Sequence, residues 1–249
     1  MDVLEALAAE SGLVAVVGAG GKKTTLYALA ERAASEGRRP VVTATVRIPI
    51  FDPHVGKVTV TDDPAAALEE TNTWPAGVVP ERESEDRYVG YDPDVVDDLA
   101  AANGVADPIL VKADGARTRE LKAPDDHEPQ LPGRVDTVIP LASVRVVGTP
   151  LESGRVHRPD QVTAITGREI GETVRPTDVA RVLASDRGGL ADVPDGATVV
   201  PLLNKVDEPD DRTIGREIAT EVLERAPRVP RVVLARMIDD DPVVEVVEA

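Results

Sequence analysis

The sequence has 249 residues, is 42% hydrophobic and carries a formal net charge of -17, with 25 Asp, 20 Glu and 22 Arg but only 6 Lys. Such an acidic surface repels nucleic acid and anionic membranes, so neither is an expected partner. The absence of cysteine excludes disulfides, thiolate catalysis and zinc–thiolate sites. A chain with 2% aromatic residues and this much charge invites a reading as disordered. Its apolar content and periodic segments argue instead for a folded protein whose carboxylates keep it hydrated in concentrated salt.

The opening MDVLEALAAESG reads as a short amphipathic helix containing acids, not as a basic and apolar targeting segment, and a cytoplasmic location is expected. Residues 13–17 (LVAVV) form an apolar run of strand length, and 24–35 show helical spacing through Leu26, Leu29, Ala30 and Ala33. Further strands are expected at 40–44, 58–60, 108–113, 137–141, 144–147, 198–203 and 231–234. Helices are expected at 64–70, 92–103, 175–184 (with Thr177 as its cap) and 212–225. The Pro- and Asp-rich joints at 81–94 and 207–211 read as surface loops. Strands alternating with helices imply a single α/β domain over 1–249, a mostly parallel, doubly wound sheet with flanking helices of the P-loop NTPase-like kind. Gly18, Thr43, Asp114 and Asn204 each follow an apolar run, placing them at the carboxyl ends of strands, where such sheets bind ligands.

The segment GAGGKKTT joins the first strand to the first long helix. A phosphate loop needs inward-pointing amides, a lysine for the phosphate oxygens and a hydroxyl for Mg²⁺. Gly18, Ala19, Gly20 and Gly21 supply the amides, Lys22 or Lys23 the charge, and Thr24 or Thr25 the hydroxyl. The spacing GxxxxGK[ST] is not met, since Lys22 stands at the last glycine position and Val17 at the first. Lys23, directly before the two threonines, is the expected phosphate lysine, with Lys22 second. A dinucleotide loop is disfavoured by the two lysines and the missing later glycine.

Asp114 ends the strand ILVKA, where a carboxylate would hold Mg²⁺ together with Thr24; the alternative is a turn cap before Gly115. Beyond it come Arg117, Arg119 and Lys122, then Asp125, Asp126, His127 and Glu128. This density of cations around a histidine suggests binding of an anionic second substrate or acid–base chemistry by Arg117, His127 and Glu128. Asn204, Lys205 and Asp207 form an NKxD pattern after a buried strand, which suits contact with guanine or another base; a capping Asn in a turn is the plain alternative. Thr43, Thr45, Asp52 and His54 lie near a strand end, and Arg158 in GRVHRPDQV is either an anion clamp or half of an ion pair.

The segments VVGAGGKKTTL (16–26), VVTAT (41–45), VKADGARTRELKAPDDHEPQLP (111–132), GRVHRPDQV (154–162) and LLNKVD (202–207) together resemble the YqeC family, described as selenium-dependent hydroxylase accessory or selenium cofactor biosynthesis proteins. The match departs from the family in the second lysine, in Lys112 where an acid is common, and in VTATV in place of a threonine-richer strand end. The resemblance implies a P-loop-type protein that binds nucleotide (ATP or GTP) with Mg²⁺ and assists maturation of selenium-dependent molybdenum hydroxylases; the expected activity is that of an NTPase or phosphotransferase. A molybdenum hydroxylase or its maturation factors would then be partners. The other reading is a nucleotide-gated docking module without significant turnover.

Overall fold

The computed structural model describes residues 1–102 and 104–249. Ten strands form one sheet: β1 (Leu13–Gly18), β2 (Val41–Ala44), β3 (Lys57–Val60), β4 (Ala76–Val79), β5 (Ile109–Lys112), β6 (Thr137–Ser143), β7 (Thr198–Val199), β8 (Leu202–Asn204), β9 (Arg231–Ala235) and β10 (Val243–Glu248). Their order is β10-β9-β8-β6-β1-β5-β2-β4-β3, with β7 also on β6. All neighbours are parallel except β10, which runs antiparallel to β9. Strands that precede β6 in the chain lie on one side of β1 and the later ones on the other, so the winding reverses at β1. That reversal opens a crevice at the carboxyl ends of its neighbours.

Alternation along each strand divides the core. Val14 and Val16 of β1 face helices α1 (Val3–Ala6) and α2 (Lys22–Ser35), which present Leu4, Leu7, Leu26 and Leu29. Leu13, Ala15 and Val17 face the opposite side, where α4 (Pro93–Ala101) contributes Val96 and Leu99, near α3 (Pro64–Glu69) with Leu68. On that second face the later strands are covered by α5 (Pro159–Thr166), α6 (Pro176–Leu183) and α7 (Pro209–Arg225) through Val162, Val179, Val182, Ile218 and Val222. A sheet buried on both faces explains why its strands read as continuous apolar runs. Among the described residues, no helix is long and apolar enough to cross a membrane.

Several elements depart from expectation. The strand expected at 198–203 splits because Pro140 of β6 stands in register with Pro201, and neither supplies a ladder N–H. The strand expected at 144–147 is a 3₁₀ turn, Val144–Val146, capped by Ser143 Oγ accepting from Arg145 N at 3.2 Å. Thr177 does not cap α6: Asp178 accepts from Arg175 N at 2.9 Å, while the Thr177 hydroxyl donates to Glu221 at 2.6 Å. Helix α7 begins at Pro209, within the joint expected as loop, and the joint at 81–94 contains an antiparallel ribbon of Arg82–Ser84 and Arg87–Tyr88. The helix expected over 92–103 runs over Pro93–Ala101, and position 103 lies outside the described residues. Strands β4 and β10 were not expected as such.

One side chain ties three strand ends together. Asn204, 4% exposed at the end of β8, donates from Nδ2 to Gly20 O at 2.9 Å and accepts at Oδ1 from Met237 N at 3.0 Å. Replacing it by alanine leaves a carbonyl and an amide unpaired in a dry environment. Asn204→Ala should lower the unfolding free energy by about 2–4 kcal/mol, measurable as a shift in urea midpoint at constant slope in molar KCl.

Candidate functional site

The turn from β1 to α2 contains only Ala19, Gly20 and Gly21. Gly18 and Gly20 adopt φ of 87° and 103° and lie so close to β6 that a Cβ on Gly18 would strike Leu141 O, and one on Gly20 would sit 2.6 Å from Ser143 N. Left-handed backbone and close approach together restrict both positions to glycine. The glycines thus press the turn against the next strand, and α2 starts at Lys22, two residues before its expected beginning. Gly21, at the N-cap, offers no side chain to the first turn. The amides of Lys22, Lys23 and Thr24 accordingly have no acceptor within the helix, which leaves the positive end of a 14-residue helix open toward a ligand.

Beneath this turn lies a buried ion cluster. Asp114 (2% exposed) accepts from Gly18 N at 2.8 Å, and its Oδ2 stands 2.9 Å from Lys122 Nζ. Its Oδ1 faces Lys22 Nζ at 2.8 Å, a close ion pair outside hydrogen-bond alignment. Lys22 also donates to Gly18 O, folding back over the turn that it follows. Lys122 bonds Gly115 O and Glu128, each at 2.6 Å. Glu128 accepts in addition from Arg158 at 2.5 Å and Gly115 N at 3.2 Å, and Arg158 reaches Asp125 at 2.6 Å. Burial by itself would raise the Glu128 carboxyl, but the bonds from Arg158 and Lys122 prevail and bring it to about 2. Lys112, at the end of β5, donates to Arg47 O at 2.7 Å and forms no ion pair among the described residues. Burial, reinforced by Lys22, brings its ammonium down to about 7. Burial likewise lowers Lys22, opposed by Asp114. His157, half-buried beside Lys122 and Arg158, is lowered to about 4 by burial first and those charges second.

Lys22, Asp114, Lys122, Glu128 and Arg158 are therefore brought together, with Lys112 close by. Three of the six lysines in the sequence are buried here, two of them, Lys22 and Lys122, paired with the carboxylates of Asp114 and Glu128. Lys23 and Thr24 point elsewhere: they line a groove on the outer side of α2, whereas Asp114 lines the narrow space under Gly18. Thr25 is buried, its hydroxyl turned to Gly21 O at 3.2 Å. Arg117 and His127 are exposed, and Arg117 and the next residue, Thr118, adopt φ of 45° and 59° in the segment leaving Asp114.

The NKVD residues are engaged by protein. Asn204 holds the turn, and Lys205 (φ 64°) donates to both oxygens of Glu120 at 2.8 Å. Asp207 pairs with Arg145 and, at 3.1 Å, with Arg236. Thr43 and Thr45 donate to Val78 O at 2.8 Å and Gln130 O at 2.6 Å, and Asp52 accepts from Tyr88 at 2.8 Å, all structural contacts. Sequence reasoning gave Lys112 no part in the site. A lysine inside an apolar strand buried on both faces was the available signal.

Two comparisons bear on this arrangement. The YqeC protein family model matches residues 14–160, which include the glycine turn, Asp114, Lys122, Glu128 and Arg158. "Uncharacterized protein YqeC" of Escherichia coli (strain K12) is 31% identical over 198 residues, covering 79% of this chain and 77% of that protein. By both measures the chain belongs to the YqeC family.

Proposed function

We propose that the protein binds the phosphate tail of ATP or GTP at the Gly18–Gly21 turn and the first turn of α2, and acts on it as an NTPase or phosphotransferase. The observation that carries this reading is the buried cluster: Lys22, Lys112 and Lys122 sit around Asp114 at the crevice of a parallel sheet, beneath an uncapped helix N-terminus. In a chain of net charge -17, burying three ammonium groups against two carboxylates is costly unless an anion completes the balance. Phosphate oxygens supply that charge, and helix amides supply the hydrogen bonds. The geometry favours Lys22 over Lys23 as the phosphate lysine, because its ammonium lies within the cluster.

A resident Mg²⁺ does not fit the donor set. Asp114 is held between two ammonium groups, Thr24 lines a different cavity, and among the described residues no group of three or more His, Asp or Glu could hold a metal. Magnesium is proposed to arrive as part of the nucleotide complex, coordinated by phosphate oxygens and water. The family resemblance supports placing the activity in maturation of selenium-dependent molybdenum hydroxylases, with such an enzyme or its maturation factors as partner. The second reading, a nucleotide-gated docking module, draws support from Glu128. A carboxylate held near 2 by two cations is fully ionised at neutral pH and takes up almost no proton from a nucleophile.

Three measurements test these readings. Calorimetry in molar KCl with Mg²⁺ and inorganic tripolyphosphate should show Lys22→Ala weakening binding by about 10- to 100-fold, the value of one charged hydrogen bond, with Lys23→Ala having a smaller effect. If neither substitution alters the affinity, the phosphate site is wrong. Lys112→Met should act in opposite directions on two readouts. Removing a buried cation without a carboxylate partner should leave the fold as stable or raise stability by about 1–4 kcal/mol, while tripolyphosphate binds more weakly. Phosphate release from ATP or GTP by the purified protein then separates the two readings: turnover lost in Lys22→Ala supports the enzyme, and tight binding without release supports the module.

A further inference from the structure

The groove on the outer side of α2 has a volume of about 720 Å³ and begins where the phosphate turn ends, at Lys23 and Thr24. Such a volume is in the range of small-molecule sites. One wall is aromatic, in a chain with only one Phe, one Trp and three Tyr. The Tyr27 ring stacks on His54 with centroids 4.1 Å apart and planes 9° from parallel, and on Phe51 at 6.5 Å; Phe51 meets Tyr88 edge-on at 5.6 Å. Three of the five aromatic residues thus gather behind this wall, with the exposed His54 at its front.

The facing wall is the segment Met237–Pro242 after β9, with Ile238 79% exposed. Its first residue is bonded through Asn204 to Gly20, so the groove wall and the phosphate turn are held by one side chain. Glu31, Asp239, Asp240 and Asp241 make the groove acidic away from Lys23. Phosphate is repelled from that end, whereas hydroxyl and amine donors find acceptors there.

We propose that this groove receives the nucleobase and ribose of the nucleotide, with the base stacked on the Tyr27–His54 wall and its donors and the ribose hydroxyls facing the carboxylates of the Met237–Pro242 segment. The inference rests on phosphate binding at the turn and moves base recognition away from Asp207, which two arginines occupy. A nucleotide would then lie along α2, its phosphates over the helix N-terminus and its base one to two turns on.

Calorimetry with ATP, GTP and inorganic tripolyphosphate on the full chain in molar KCl and Mg²⁺ tests this. Tyr27→Ala should weaken the preferred nucleoside triphosphate on the order of tenfold, as stacking of one base implies, and leave tripolyphosphate unchanged; Tyr27→Phe should retain wild-type affinity. His54→Ala, at an exposed position that folding tolerates, should weaken the nucleotide in the same selective way. Nucleotide affinity unaltered in both alanine variants, while tripolyphosphate still binds, overturns the groove as base site and leaves the phosphate reading intact. No binding of tripolyphosphate or nucleotide to the wild-type chain overturns both.

Discussion

Asp114 sits at the point where the architecture and the candidate chemistry meet. Its carboxylate bonds the Gly18 amide and lies between the ammonium groups of Lys22 and Lys122, so the ends of β5 and β1, the start of α2 and the 114–122 segment share one buried charge. Burying any one of these groups without the others would be strongly unfavourable. The close approach that makes them compatible requires glycine where the turn touches Leu141 and Ser143. The local structure is therefore determined by electrostatics and sterics together: the glycines permit the turn, and the ion pairs select it.

The same arrangement explains why the site is cationic inside an acidic protein. Surface carboxylates are hydrated and screened, and at high salt they interact weakly beyond a few ångströms. The buried lysines are not screened in this way. Lys112 in particular bonds a carbonyl rather than a carboxylate, and burial, with Lys22 nearby, outweighs the opposing pull of Asp114 and lowers its ammonium to about 7. Half of the six lysines are buried in one place, beside the unpaired amides at the start of α2.

The NKVD turn shows how one short pattern serves the fold. Asn204 joins the glycine turn to the segment after β9, Lys205 is bonded to Glu120 in the segment after Asp114, and Asp207 gathers Arg145 and Arg236. These partners follow the carboxyl ends of four strands, β1, β5, β6 and β9. The turn is thus a hub at the rim of the sheet, and through Asn204 it couples the groove beside Met237 to the glycine turn.

Periodicity and residue order alone determined the alternating α/β plan, the positions of β1, β2, β5 and β9, and the fact that Gly18, Asp114 and Asn204 stand at strand ends, because apolar runs, turn glycines and amphipathic spacing are local signals. Strand β4 escaped notice because AGVV is only four residues long and contains glycine, and β10 because VVEVVE is an edge strand defined by its partner rather than by a pattern of its own. Tertiary structure decided which lysine faces Asp114, since adjacent residues on a helix point about 100° apart and the helix start at Lys22 sets that phase. It also decided that Glu128 is held by Lys122 and Arg158, that Asp207 is neutralised by two arginines, and that Tyr27, His54 and Met237 line one groove. Those are contacts between residues tens to hundreds of positions apart, and only the packed sheet brings them within reach.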